Sequence, residues 1–160
     1  MTIEEKLEKL NISYKKIEHK PVYTVDEAKD CKLQIEGIGC KNLFLKDKKG
    51  KYYLLLLPDD QRADFKRIEK SLSISHLTFA KEEELNEILH LTKGSVTPLG
   101  IMYDTKGLVA VIIEESLLDK KVLVHPNRNT ATISISCDDL LRFIKQENHT
   151  YLILSKEERK

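Results

Sequence analysis

The sequence predicts an α+β fold: a mixed, largely antiparallel and barrel-like central sheet with helices packed around it. Apolar runs with strand character are interleaved with segments of helical spacing, without a regular βαβ period. Two similar turns, Asp47-Lys48-Lys49-Gly50 and Asp104-Thr105-Lys106-Gly107, each lie between apolar runs and mark chain reversals, because glycine adopts the positive φ that a short reversal needs. At 160 residues the chain suits one domain, 1–160, able to bury roughly two thirds of the surface its unfolded form exposes.

The elements follow in order. Residues 3–10 put Ile3, Leu7 and Leu10 on one helical stripe, and 24–29 (TVDEAK) predict one or two turns behind Thr24 as N-cap. NLFLKD (42–47) and KYYLLLLP (51–58) are the strands of the first hairpin. Residues 60–72 align Phe65, Ile68 and Leu72 behind an Asp60 cap, and 81–91 gather Leu85, Ile88 and Leu89. Short strands are expected at 102–104 and 108–116 around the second turn, then at VLVHP (122–126), TATISIS (130–136) and YLILS (151–155). Ser136 precedes a helix over 137–147 carrying Leu140, Leu141 and Ile144, and residues 156–160 are expected to fray.

Composition excludes several classes. Twenty-seven basic against 26 acidic residues leave a charge of +1, which rules out coating nucleic acid by net charge and leaves room only for a local basic site. The N-terminus lacks the apolar core of a signal peptide, and the longest apolar run, Tyr52 to Leu57, falls far short of the ~20 residues that span a bilayer. Cys31, Cys40 and Cys137 are odd in number and widely spaced, so neither a disulfide framework nor a zinc site is indicated. The histidines show no H-x-x-x-H or H-x-H pair. A cytoplasmic protein without metal or cofactor, and with neither membrane nor DNA as partner, is therefore expected.

Four stretches carry candidate chemistry. Lys41-Asn42 at a strand mouth offers a point charge and an amide suited to a phosphate or carbonyl, or is a solvated strand end. Lys46, Lys48, Lys49 and Lys51 make a basic hairpin tip, either solvated or resting on an RNA backbone. His125-Pro126-Asn127-Arg128-Asn129-Thr130 is a polar pocket wall or a loop bonded to its own backbone. Gly94-Ser95-Val96-Thr97-Pro98 is a plain reversal or a stiff loop whose amides face one oxygen atom. No G-x-S-x-G elbow, Walker loop or H-E-x-x-H motif is present, so hydrolysis would run without a conventional nucleophile or metal.

Taken together, KNLFLKDKKGKYYLLLLP (41–58), GSVTPLG (94–100), the turn at 104–107 and HPNRNTATISIS (125–136) resemble the YbaK/ProX family of prolyl-tRNA editing domains over nearly the whole chain. They look most like its free-standing ProX type (ProXp-ala, PrdX), which clears alanine wrongly esterified to proline tRNA. The resemblance implies a pocket for the aminoacylated acceptor end, with Lys41, Asn42, Gly94, Ser95 and His125 as the catalytic set. Val96, Thr97, Pro98, Pro126, Asn129 and Thr130 would contact substrate, while Asn127 and Arg128 stand where many members are more apolar. The loop would act through its amides, with Ser95 not the nucleophile, and Lys41 would hold a phosphate or ribose, since lysine is a poor base at neutral pH. Alternatives are a deacylase for Cys-tRNA(Pro) or Ser/Thr-tRNA, a non-catalytic tRNA-binding or regulatory module, and a small-molecule sensor. Prolyl-tRNA synthetase or an elongation factor would be the docking partner.

Overall fold

The fold is that of a computed structural model describing residues 1–21 and 35–155; the turns expected at 24–29, Cys31 and the tail expected at 156–160 lie outside the described residues. Four α-helices and eight strands are described: α1 (Ile3–Lys9), β1 (Lys15–Glu18), β2 (Ile38–Lys46), β3 (Tyr52–Pro58), α2 (Phe65–Leu72), β4 (Thr78–Phe79), α3 (Glu82–Leu89), β5 (Val109–Glu114), β6 (Lys121–Val124), β7 (Ala131–Ser136), α4 (Cys137–Gln146) and β8 (Tyr151–Leu154). The strands run in the order β1-β7-β6-β2-β3-β5-β8, with β4 beside β2. Pairs β1/β7, β2/β3, β2/β4 and β6/β7 are antiparallel, whereas β2/β6, β3/β5 and β5/β8 are parallel, so the sheet is mixed.

The run Leu54-Leu55-Leu56-Leu57 explains itself in β3. Leu54 and Leu56 face a larger core with Phe44, Val111, Ile113, Val122 and Phe143, while Leu55 and Leu57 face a smaller one with Leu45, Ile68, Leu77 and Ile112. A strand covered on both faces needs no polar alternation. Leu55 is fully buried, so Leu55→Ala is expected to lower the unfolding free energy by ~2–5 kcal/mol, read by urea titration as an earlier midpoint at unchanged slope.

The first hairpin forms as its sequence predicts. Asp47 Oδ1 accepts from the amides of Lys49 and Lys51, both at 2.9 Å, and Gly50 takes φ 86°. Ser136 caps α4 by accepting from the Asp139 amide at 3.1 Å. Elsewhere local chemistry moves the boundaries. Asp64, not Asp60, caps α2, accepting from Arg67 N at 3.2 Å. Residues 102–104, expected as a strand, lie at the end of a 3-10 segment, Pro98–Tyr103, and just beyond it. Pro98 at its start and the Thr97 hydroxyl accepting from Leu99 N favour that tighter winding. Asp104 then closes the second turn, accepting from the amides of Leu108 (3.1 Å) and Val109 (2.9 Å) and contacting the buried His149 at 2.9 Å.

Candidate active site

A gap in strand pairing positions the site. β6 pairs with β2 only at Ile38 and Gly39, and β4 joins β2 only at Leu45 and Lys46. Between them, residues 40–43 have β3 on one side and, among the described residues, no strand on the other. Lys41 and Asn42 sit on this open edge. Strand alternation sends their side chains to opposite faces, Asn42 with Cys40 and Phe44 of the larger core and Lys41 with Leu43 and Leu45 of the smaller.

The open edge borders a cavity of about 450 Å³, lined by Asn42 and among others by Leu43, Phe44, Phe79, Lys93 and Val96. Asn42 Oδ1 is buried and has no hydrogen-bond partner among the described residues. An unpaired buried amide oxygen costs ~1–3 kcal/mol, so its retention beside a cavity is what a ligand donor would compensate.

The Gly94–Pro98 loop forms another wall. A single 3-10 turn, Lys93–Ser95, is closed by Thr92: Ser95 N donates to Thr92 O at 2.9 Å, and Ser95 Oγ accepts from Thr92 N and donates to Thr92 O, both at 3.2 Å. The buried Ser95 hydroxyl is therefore occupied in holding the loop. Thr97 is wholly buried and Pro98 fixes the next dihedral, so the loop is stiff at both ends. The Thr97 amide has no acceptor among the described residues, and the Val96 amide makes no well-formed bond at the end of the 3-10 turn. A Cβ on Gly94 would lie 3.1 Å from Asn129 Nδ2, so the missing side chain lets the two polar loops meet.

In the second loop, His125 Nδ1 bonds the Ala131 carbonyl at 3.0 Å; a carbonyl only accepts, so Nδ1 carries the proton and Nε2 of the neutral ring keeps its lone pair. Burial holds the imidazole below its usual value, with His19 adding to the effect and the Ala131 bond opposing it. The β6/β7 ladder ends at Val124 and Ile133, one residue short of His125 and Thr132, and the β2/β6 ladder ends at Gly39 and Leu123. His19 Nε2 contacts Thr132 Oγ1 at 2.8 Å, with its ring centroid 6.5 Å from that of His125. His19, at the end of β1, thus meets both Thr132 of β7 and the His125 ring. Sequence reasoning missed His19 and Thr132, which meet only through strand pairing.

Arg128 shapes this loop. Its guanidinium grips Glu4 of α1 with two bonds of 3.1 and 3.0 Å and reaches the Pro126 carbonyl at 3.4 Å. That grip holds the Glu4 carboxyl below the usual range. Asn127 takes φ 63°, Pro126 is buried and Thr130 is exposed. Of the basic tip, Lys46 pairs with Glu84 at 3.0 Å and sits 5.7 Å from the centre of the Tyr52 ring. The Tyr52 hydroxyl also donates to Glu84, which pushes Tyr52 up to about 12 and Glu84 down to about 2. Lys48, Lys49 and Lys51 remain exposed.

Residues 19–143 match the aminoacyl-tRNA editing domain, and the chain belongs to that family, a class of hydrolases that deacylate aminoacyl-tRNA. Among its relatives is the prolyl-tRNA editing protein ProX of Acetoanaerobium sticklandii, 40% identical over 150 residues and covering 91% of this chain and 90% of that one. Prolyl-tRNA synthetase associated domain-containing protein 1 of Danio rerio is 36% identical over 156 residues, covering 96% and 85%. A crystal structure described as a candidate trans-editing enzyme for prolyl tRNA synthetase has the same fold, with TM-score 0.75 at 22% identity over 98% of this chain and 95% of that one. Among the described residues, no helix is long and apolar enough to cross a membrane.

Proposed function

We propose that this chain hydrolyses Ala-tRNA(Pro) in trans, and that the buried, unpaired Asn42 Oδ1 beside the cavity is the observation that carries the reading. An aminoacyl ester is already activated, so the protein needs to hold it, admit water and stabilise the oxyanion. Asn42 Oδ1 accepts from the α-ammonium of the alanyl group. The Val96 and Thr97 amides receive the carbonyl oxygen as charge develops. Lys41 holds the terminal phosphate or ribose from the other side of the open edge. His125 Nε2 accepts from the vicinal ribose hydroxyl, which orients the water. Water oxygen bonds to the carbonyl carbon, the ester C–O bond breaks, and the departing ribose oxygen takes up the proton. The partner is the acceptor end of proline tRNA, and the setting is cytoplasmic.

Alanine fits a site that rejects proline by size. A pocket separates substrates by only ~1–3 kcal/mol per methylene, so exclusion of the larger side chain is the secure step. Deacylation of proline tRNA charged with alanine, cysteine or serine tests the assignment. Alanine is expected to be released fastest; faster release of cysteine or serine would reassign the substrate, and no release of any would contradict catalysis.

The His125 assignment predicts a pH profile. With the folded value below the usual 6.5, the ring is neutral and able to accept throughout neutral pH, and deacylation falls only as pH drops below 6.5. The same sign applies to stability, which is complete above 6.5 and declines as pH falls toward the lowered value. An acidic limb centred above 6.5, after correction for spontaneous hydrolysis, would contradict the role.

A further inference from the structure

We propose that Phe79 is a stacking platform for an unpaired nucleobase at the 3′ end of the tRNA, an inference that rests on the editing reading above. Phe79 is 62% exposed, whereas Leu77, two residues before it, is fully buried. Its position is fixed on both sides. Phe79 pairs with Leu45, the Ala80 amide donates to the Phe44 carbonyl at 3.0 Å, and Leu77 N donates to Glu69 Oε2 at 2.8 Å. The Phe65 ring, 5.4 Å away and tilted by 58°, supports it from α2. An apolar ring held outward gains little for folding, since burial is what stabilises such a group.

The surroundings select the occupant. Phe79 lines the cavity that Asn42 borders, and Lys81, Lys93 and Glu82 lie on the same lining, two cations against one carboxylate. Both lysines are exposed, and neither forms an ion pair among the described residues. An aromatic face flanked by ammonium groups at the mouth of a cavity suits a nucleotide, with the base on the ring and the phosphate between the lysines. A protein partner would gain from the ring but not from this excess of positive charge.

The test uses uncharged proline tRNA ending in 2-aminopurine ribonucleotide, whose fluorescence changes on stacking, and the same tRNA lacking its terminal nucleotide. Phe79→Ala is expected to weaken binding of the intact RNA by about 5-fold to about 150-fold, the range for losing one stacked base, and to change binding of the truncated RNA much less. Phe79→Tyr, which keeps the ring, is expected to restore affinity and the fluorescence change, and Phe79→Leu, which keeps apolar bulk alone, is not. Wild-type affinity in Phe79→Ala, or full rescue by Leu, would overturn the platform. Continued deacylation of Ala-tRNA(Pro) by the wild type would then leave the editing reading standing. A wild type that neither binds the intact RNA nor deacylates the charged one would overturn both.

Discussion

Lys41→Ala is expected to lower kcat/KM for Ala-tRNA(Pro) by about 10²-fold or more, the scale on which removal of one preorganised charge or donor at a reacting ester is felt. The side chain is only partly buried and is not part of either core, so the fold should survive, with an unchanged thermal midpoint. Lys41→Arg separates the two roles a cation can play here. If Lys41 is a point charge on a phosphate, arginine should retain much of the rate, because it keeps the charge and stays protonated. Wild-type turnover by Lys41→Ala would remove Lys41 from the mechanism.

Asn42→Leu is expected to move stability and activity in opposite directions. Replacing an amide whose buried oxygen is unpaired by an apolar side chain of similar volume relieves a penalty of ~1–3 kcal/mol, which for a chain of this size raises the melting temperature by ~2–4 °C per kcal/mol. The same change deletes the acceptor proposed for the substrate ammonium, a charge-assisted bond worth ~1.5–3 kcal/mol, or about 10-fold to about 150-fold in kcat/KM. Thermal melting and steady-state kinetics on one preparation check both halves. A less stable variant would show that the amide has a structural partner, and a fully active one that the substrate does not use it.

Much of the fold was legible because its signals are local. Gly50 and Asp47 write the first hairpin into four residues, Ser136 marks the start of α4, and the four leucines of β3 announce a strand buried on both faces. The strands β1 and β4 were not legible. Each is short and largely exposed, and each exists because a longer neighbour offers it an edge. Residues 102–104 were misread as a strand because the apolar content of Ile101 and Met102 outweighed the winding that Thr97 and Pro98 impose upstream.

The candidate site divides in the same way. GSVTP and HPNRNT are recognisable as segments, but only the fold shows that Gly94 admits Asn129 and that Ser95 is occupied by Thr92. Lys41 and Asn42 are neighbours in sequence, yet the period of a strand sends them to opposite faces, Lys41 with Leu43 and Leu45 and Asn42 with Cys40 and Phe44 beside the cavity. Lys46 reads as a free cation in the charge run until Glu84, 38 residues on, pairs with it. His19 carries no motif, and Thr132 reads only as one residue of the TATISIS strand. They meet because β1 lies antiparallel to β7.

The central claim is that a held water, oriented by the substrate's own ribose hydroxyl, cleaves the ester without a side-chain nucleophile. Single-turnover deacylation of 3′-linked Ala-tRNA(Pro) ending in adenosine or in 2′-deoxyadenosine tests it most directly. The intact substrate should be hydrolysed far faster than in buffer, and the deoxy substrate at close to the buffer rate despite comparable binding. Equal acceleration of the two, or acceleration of neither, would contradict the account.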